Sequence, residues 1–170
     1  MASAMQKPGL RPFLPADAAL CAAIFESSVT ELTGDDYTEA QQEAWIAAIE
    51  DDDAFGHRLS SQLTLLATLG ESVVGFASLR DNEVIDMLYV HPAAVRQGVG
   101  STLCDALEKL AAARGAQTLI ADVSDTAHRF FVRRGYEDWR RNSVPLGDEW
   151  LGNTTMRKTL AGASAQGGQQ

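Results

Sequence analysis

Cysteine is scarce: only Cys21 and Cys104 occur in 170 residues, each among the apolar neighbours of a predicted helix. Two such residues cannot build a disulfide framework, and no Cys-x-x-Cys spacing offers a zinc or redox motif. They read as small buried hydrophobes of a reducing compartment. The histidines, His57, His91 and His128, are scattered without metal-ligand spacing, so no metal is expected. No apolar run is long enough to span a bilayer, and the opening MASAMQKPGLRPFLP lacks the apolar core of a signal peptide. A cytoplasmic protein without a membrane partner is the expectation. Positive charge is also short, with a net charge of −9, which argues against nucleic acid as a partner. The chain has no Gly-Lys-Ser/Thr, which excludes a P-loop. Internal repeats are absent too.

What remains is an ordinary globular composition, 45% hydrophobic and 22% charged, of a length suited to one domain. The domain is expected over residues 9–160, with flexible tails at 1–8 and 161–170.

The organising stretch runs from Val84 to Gly115. Val84, Ile85, Met87, Leu88, Tyr89 and Val90 form a β-prone run that Pro92 stops. A loop leads to Gly98-Val99-Gly100-Ser101, where Val99, Leu103, Ala106, Leu107 and Leu110 begin a helical spacing that Gly115 closes. Strand, loop and glycine-rich helix start together make an anion site. The first helical N–H groups lack partners, lie at the positive end of the helix dipole, and are approachable where no side chain intervenes. A dinucleotide fingerprint fits poorly, because Leu103 stands where it needs a third small residue.

Val90-His91-Pro92 followed by Arg96-Gln97-Gly98-Val99-Gly100-Ser101 resembles the coenzyme A pyrophosphate motif of the GNAT acyltransferase superfamily. A second block, Ser124-Asp125-Thr126-Ala127 and then Phe130-Phe131-Val132-Arg133-Arg134-Gly135-Tyr136, resembles the family's later helix and Gly-aromatic step. The resemblance covers roughly Gly9 to Leu160, specifically in the second half and only generically in the first. It implies a mixed α/β fold with a largely antiparallel sheet flanked by helices, and the order β α α β β β α β α β β.

Each element has its own signal. Leu10–Leu14 reads as a first strand. Leu20, Cys21, Ile24, Phe25, Val29 and Leu32 mark a first helix, and Thr38 and Gln41 have capping-box spacing ahead of a second. Leu63–Leu69 and Val73–Leu79 form a hairpin about Gly70-Glu71-Ser72. A strand over Thr118–Val123 and a helix over Thr126–Arg134 come next, with Ser124 or Asp125 as cap. Tyr136–Leu146 and Asn153–Leu160 are the last strands, joined by a loop over residues 147–152. No lysine or arginine lies between Arg11 and Arg58, whereas eleven acids do. Such a run is either a solvated acidic face or a field that draws in a cationic amine.

The family resemblance implies an acetyl-CoA-dependent N-acetyltransferase. Main-chain groups at Val95, Arg96, Gln97, Gly98, Val99, Gly100 and Ser101 would hold the pyrophosphate. The strand edge at Leu88, Tyr89 and Val90 would pair with the pantetheine, and a backbone N–H there would polarise the thioester carbonyl. Ser124, Thr126, Phe131 and Arg133 would add contacts to the coenzyme. Val95 departs from the Arg or Gln usual at its position, and Arg96 is one place off.

Amine attack on a thioester needs a base. Asp86 is the first candidate: it stands in an apolar strand two places before Leu88, on the same face by alternation, where burial is expected to raise its pKa. Glu83 is a second choice. Phe131 occupies the position where many relatives have a proton-donating tyrosine, which leaves Tyr89 or Tyr136 as donors or none at all. Tyr37, Trp45 and Trp150 are candidates for the acceptor pocket. A small amine is the first acceptor to consider and a protein amino group the second. A coenzyme A-binding regulator without turnover is the reading from another class, and a different nucleotide at the same loop is a third. Many relatives pair as dimers, so a homodimer is one state the resemblance allows.

Overall fold

The computed structural model describes residues 6–49 and 51–160. Of the expected tails, residues 1–5 and 161–170 lie outside the described residues, and Gln6 to Pro8 precede the first strand without regular structure. In chain order the elements are β1 (Gly9–Pro12), α1 (Ala18–Leu32), α2 (Glu39–Ala47), α3 (Asp52–Ser60), β2 (Leu63–Leu69), β3 (Ser72–Arg80) and β4 (Val84–Val90). They continue with α4 (Val99–Ala113), β5 (Thr118–Ser124), α5 (His128–Arg133), β6 (Glu137–Leu146) and β7 (Glu149–Thr159). One seven-stranded sheet has the order β1-β2-β3-β4-β5-β7-β6. Every neighbouring pair is antiparallel except β4 and β5. This is the expected mixed α/β class.

Two expectations need correction. Three helices, not two, precede β2. The third begins inside the acidic run: the Asp51 side chain accepts from the Ala54 N–H at 2.6 Å, and Asp52 and Asp53 occupy the first turn. Acids there complement the helix dipole, and Phe55 and Leu59, one turn apart, supply the buried stripe. Part of the apparent solvated face is therefore a helix start. The loop before the last strand is also shorter than expected, because β7 begins at Glu149 and leaves only Gly147 and Asp148 to turn the hairpin.

The sheet separates two cores. On one side α4 lays Val99, Leu103, Leu107 and Ala111 against Ala77, Leu79, Ile85 and Leu119. On the other, Cys21, Ile24, Phe25 and Val29 of α1 and Phe55 and Leu59 of α3 pack on Leu66, Phe76 and Met87. Burying a leucine or phenylalanine of this kind contributes about 1.5–3 kcal/mol. No helix among the described residues is long and apolar enough to cross a membrane.

Two local features shape the cleft. A Cβ on Gly75 would stand 2.9 Å from Val99 Cγ1, so the missing side chain lets the start of α4 rest directly on β3. The register of β3 against β4 slips between Ser78 and Leu79: Leu79 faces Ile85, but Ser78 faces Met87, leaving Asp86 as an unpaired bulge residue. Strict alternation would put Ile85 and Met87 on one face. Instead Ile85 belongs to the α4 core and Met87 to the α1 core.

Candidate active site

β4 and β5 pair only at Val84–Ile120 and Ile85–Ala121 and then part. The β4 edge from Asp86 onward is left open toward β5, in a gap lined by Leu88, Ala121, Val123 and Phe131. Above the gap, His91 folds its imidazole back to accept from the Ala93 N–H at 3.0 Å, and the chain turns toward α4. Arg96 and Gly98 both take left-handed backbone conformations, with φ of 65° and 79°. The first bond within α4 joins the Thr102 N–H to the Gly98 carbonyl at 2.9 Å, so the N–H groups of Val99, Gly100 and Ser101 precede the helical ladder. A Cβ on Gly98 would meet nothing within 4 Å, while one on Gly100 would come to 3.3 Å from Phe130 Cζ. The result is a bare, donor-rich concavity of the kind that binds pyrophosphate.

From this cradle a groove of about 270 Å³ runs down past Val95, Leu88, Tyr89 and Val90 on one side and Ser124, Thr126 and Ala127 on the other. Its walls suit a pantetheine arm: apolar side chains and an unpaired strand edge. On the outer side, Ser101, Arg129, Phe130 and Arg133 border an open cavity of about 530 Å³ beside the helix start. Asp105 and Glu108 border it too but are paired with Arg134 and Lys158, which leaves Arg129 and Arg133 as the basic side chains beside the backbone donors. Ser124 is already used locally, since its Oγ accepts from the Ala127 N–H at 3.1 Å, and the Thr126 hydroxyl donates to Asp36 at 2.7 Å. Of the residues expected to meet the coenzyme, Leu88, Tyr89, Val90, Val95, Gly100, Ser124 and Thr126 line the groove and Ser101 and Arg133 the outer cavity, whereas Val99 is buried in the core. Phe131 is buried, packed edge-on to Phe130 and Tyr136, and presents no hydroxyl to the gap.

The expectations for Asp86 are corrected by the bulge. Asp86 does not share a face with Leu88: it turns to the α3 side, where Arg58 grips it twice, at 2.8 and 3.0 Å, and Gln62 and Arg80 donate at 2.9 and 3.2 Å. Its pKa is not raised. Burial pushes it up, but hydrogen bonds from Arg58 and Gln62 and the charges of Arg58 and Arg80 outweigh burial and hold the carboxyl below its usual range. A carboxylate so thoroughly bound is a weak proton acceptor. Glu83 lies exposed before the strand begins.

Besides Asp86, a second carboxylate borders the gap, Asp122 on β5, a residue missed in the sequence. Ile120, Asp122 and Ser124 alternate with the buried Ala121 and Val123, so a lone acid inside an apolar strand was the available signal. Asp122 borders both the gap and a second cavity of about 120 Å³. It is oriented by a relay in which Asn142 Nδ2 donates to the Thr155 hydroxyl at 2.8 Å and that hydroxyl donates to Asp122 at 2.6 Å.

The second cavity shares Trp45, Tyr89, Asp122 and Ser124 with the gap. Tyr37, Trp45 and Tyr89 line it, together with Val144, Leu146 and Leu151 of the last hairpin. Trp45 meets Tyr37 at 5.4 Å and Tyr89 at 6.5 Å between ring centroids, both edge-on. The Tyr37 hydroxyl donates to the Gly152 carbonyl at 2.6 Å and accepts from the Asp125 N–H at 2.9 Å, tying α2's approach to the hairpin and to the turn after β5. Desolvation raises its pKa. Tyr89 borders the gap, the groove and the second cavity alike, and burial pushes its hydroxyl up to about 12. Trp150, by contrast, is 61% exposed on the hairpin's outer surface and borders none of these cavities. Tyr136 is buried on the opposite face and donates to Glu108 at 3.0 Å, which makes it a packing residue.

Comparison with known proteins agrees with this geometry. Residues 33–160 match the family model for the acetyltransferase (GNAT) domain. The uncharacterised N-acetyltransferase YafP of Escherichia coli is 32% identical over 148 residues, covering 87% of this chain and 93% of YafP. A GCN5-related N-acetyltransferase from Rhodopseudomonas palustris is 57% identical, with a TM-score of 0.90 over 94% of this chain and all of that one. The fold is shared with the PaiA N-acetyltransferase of Thermoplasma acidophilum, solved with coenzyme A, at 18% identity and a TM-score of 0.75 over 90% of this chain and 99% of that one. The chain belongs to the GNAT family and is an acetyl-CoA-dependent N-acetyltransferase.

Proposed function

We propose that this enzyme moves the acetyl group of acetyl-CoA to the amine of a small molecule, by direct attack in a ternary complex. The observation that carries the reading is the second cavity: about 120 Å³, roofed by α2 and the β6–β7 hairpin, and joined to the strand gap at Asp122 and Tyr89. A cavity of that size suits a compact amine better than a polypeptide, which would need an extended groove.

In this reading the backbone N–H groups at the start of α4 and the basic rim at Arg129 and Arg133 hold the phosphates. The open β4 edge at Leu88 to Val90 aligns the pantetheine and supplies an N–H to the thioester oxygen. The thioester contributes the activated acyl group. Asp122 takes the proton from the incoming ammonium, in the role first considered for Asp86. The Tyr89 hydroxyl, protonated throughout the neutral range, gives a proton to the departing thiolate. Asp86 instead locks α3 to the bulge and keeps the strand open.

The test measures release of the coenzyme A thiol with acetyl-CoA and two acceptor sets, small primary amines and lysine-containing peptides. Small amines are expected to give the higher kcat/KM. Preference for the peptides would overturn the small-molecule reading while leaving acetyl transfer intact.

A further inference from the structure

We propose that the acceptor is an apolar monoamine: one ammonium group, no carboxylate, and an aliphatic or arylalkyl body. The inference rests on the acetyl-transfer reading above and names the acceptor class of the same site.

Charge in the second cavity decides the class. Among the described residues, Asp122 is its one charged lining group, and no lysine or arginine borders it. The cations nearest to it are already held. Arg58 and Arg80 are bound to Asp86, and Arg141 makes a two-pronged pair with Asp125. Arg141 stands beside Gly152 of the cavity wall, but its guanidinium is directed to the Asp125 carboxylate, which neutralises it. Backbone donors that would hold a carboxylate are spent too, since the Asp125 N–H goes to Tyr37 and the Ala127 N–H to Ser124. An amino acid would therefore bring its carboxylate into a site with one negative charge and no cation to pair it, only the neutral donors of Ser124 and Asn153.

An ammonium is well received in the same place. Asp122 offers a carboxylate oriented by Thr155, and the rings of Tyr37, Trp45 and Tyr89 line the space, where a ring face attracts a cation. Beyond this polar end, Val144, Leu146 and Leu151 leave an apolar wall with no acceptor for a second ammonium. One charge at one end and a hydrocarbon body is the shape that matches.

Matched pairs test the proposal on the full-length enzyme: 3-methylbutylamine against leucine, 2-phenylethylamine against phenylalanine, and pentylamine against 1,5-diaminopentane. Each amine is expected to exceed its amino acid in kcat/KM by at least about a hundredfold, and pentylamine to exceed the diamine by about tenfold, from the cost of an unpaired charge. Equal or faster turnover of the amino acids, or of the diamine, would overturn it. A thermal melt with coenzyme A alone separates this from the underlying reading. Absence of a shift there means that acetyl transfer itself fails. If the coenzyme shifts the melt but no monoamine is acetylated or further stabilises the coenzyme A complex, only the acceptor class fails.

Discussion

The coenzyme half and the acceptor half of the cleft are built by opposite means. The coenzyme half is made mostly of backbone: unladdered N–H groups at α4, an open β4 edge, and glycines where a side chain would intrude. The acceptor half is made of side chains from four distant segments, with Tyr37 and Trp45 between β1 and β2, Tyr89 on β4, Asp122 on β5 and the aliphatic residues of the last hairpin. A backbone site is fixed by the fold and tolerates little variation in what it binds. A side-chain site can be rewritten one residue at a time, which is how one scaffold comes to serve many acceptors.

The sharpest way to break this contrast is at Asp122. Asp122→Asn is expected to lower kcat by about a hundred- to ten-thousandfold while the KM for acetyl-CoA stays unchanged, read by steady-state kinetics. A comparable loss in Asp86→Asn with none in Asp122→Asn would return the base to β4. The converse test is at Gly100, where a Cβ would already approach Phe130 at 3.3 Å. Gly100→Val is expected to weaken acetyl-CoA binding at least about tenfold by calorimetry, because even a partly displaced helix start costs one or more phosphate hydrogen bonds. Trp45→Ala should raise the KM for the amine by about tenfold, a loss of the order of one cation–π and packing contact, and leave coenzyme affinity alone.

Asp86→Asn is expected to cost stability instead, about 1–3 kcal/mol at pH 7 by urea unfolding. Because the carboxyl's pKa is lowered in the folded state, its contribution is present above the ordinary value of 3.8 and is lost as pH falls through the lowered one. The gap between variant and wild type should therefore close toward acid. The smallest effect is at the alkaline end. With Tyr89 raised to about 12, its ionisation should leave kcat flat from neutral pH to about 10. The raised folded pKa also means that its contribution to stability declines only as pH climbs from 10 toward 12. An inflection in kcat near neutrality that disappears in Tyr89→Phe would remove Tyr89 as the thiolate's proton donor.

The same contrast explains which parts of the molecule were legible in its sequence. Gly98, Gly100 and the strand before them were legible because a backbone site leaves a local trace: conformational demands that few residues meet, at fixed spacing. The fold class and most element ends obey the same logic of periodicity and turn chemistry. Asp122 was not legible, because its role depends on β5 parting from β4 after Ala121 and on a threonine and an asparagine from two other strands. Trp150 misled because a hairpin position does not say which face an aromatic takes. The helix over Asp52–Ser60 hid behind its own acidic cap.

The bulge at Asp86 gives β4 two reading frames. Before it, the odd-numbered Ile85 addresses the aliphatic side. After it, the odd-numbered Met87 and Tyr89 address the aromatic side, and Leu88 and Val90 inherit the coenzyme. Alternation puts the hydrocarbon of Leu88 and the hydroxyl of Tyr89 on opposite banks, and the inserted residue is what lets Ile85 and Met87, two places apart, face different sides. Deleting Asp86 would restore plain alternation with Met87 still opposite Ser78 and Tyr89 still opposite Phe76, so both chemistries would keep their banks and only the carboxylate that Arg58, Gln62 and Arg80 hold would be lost.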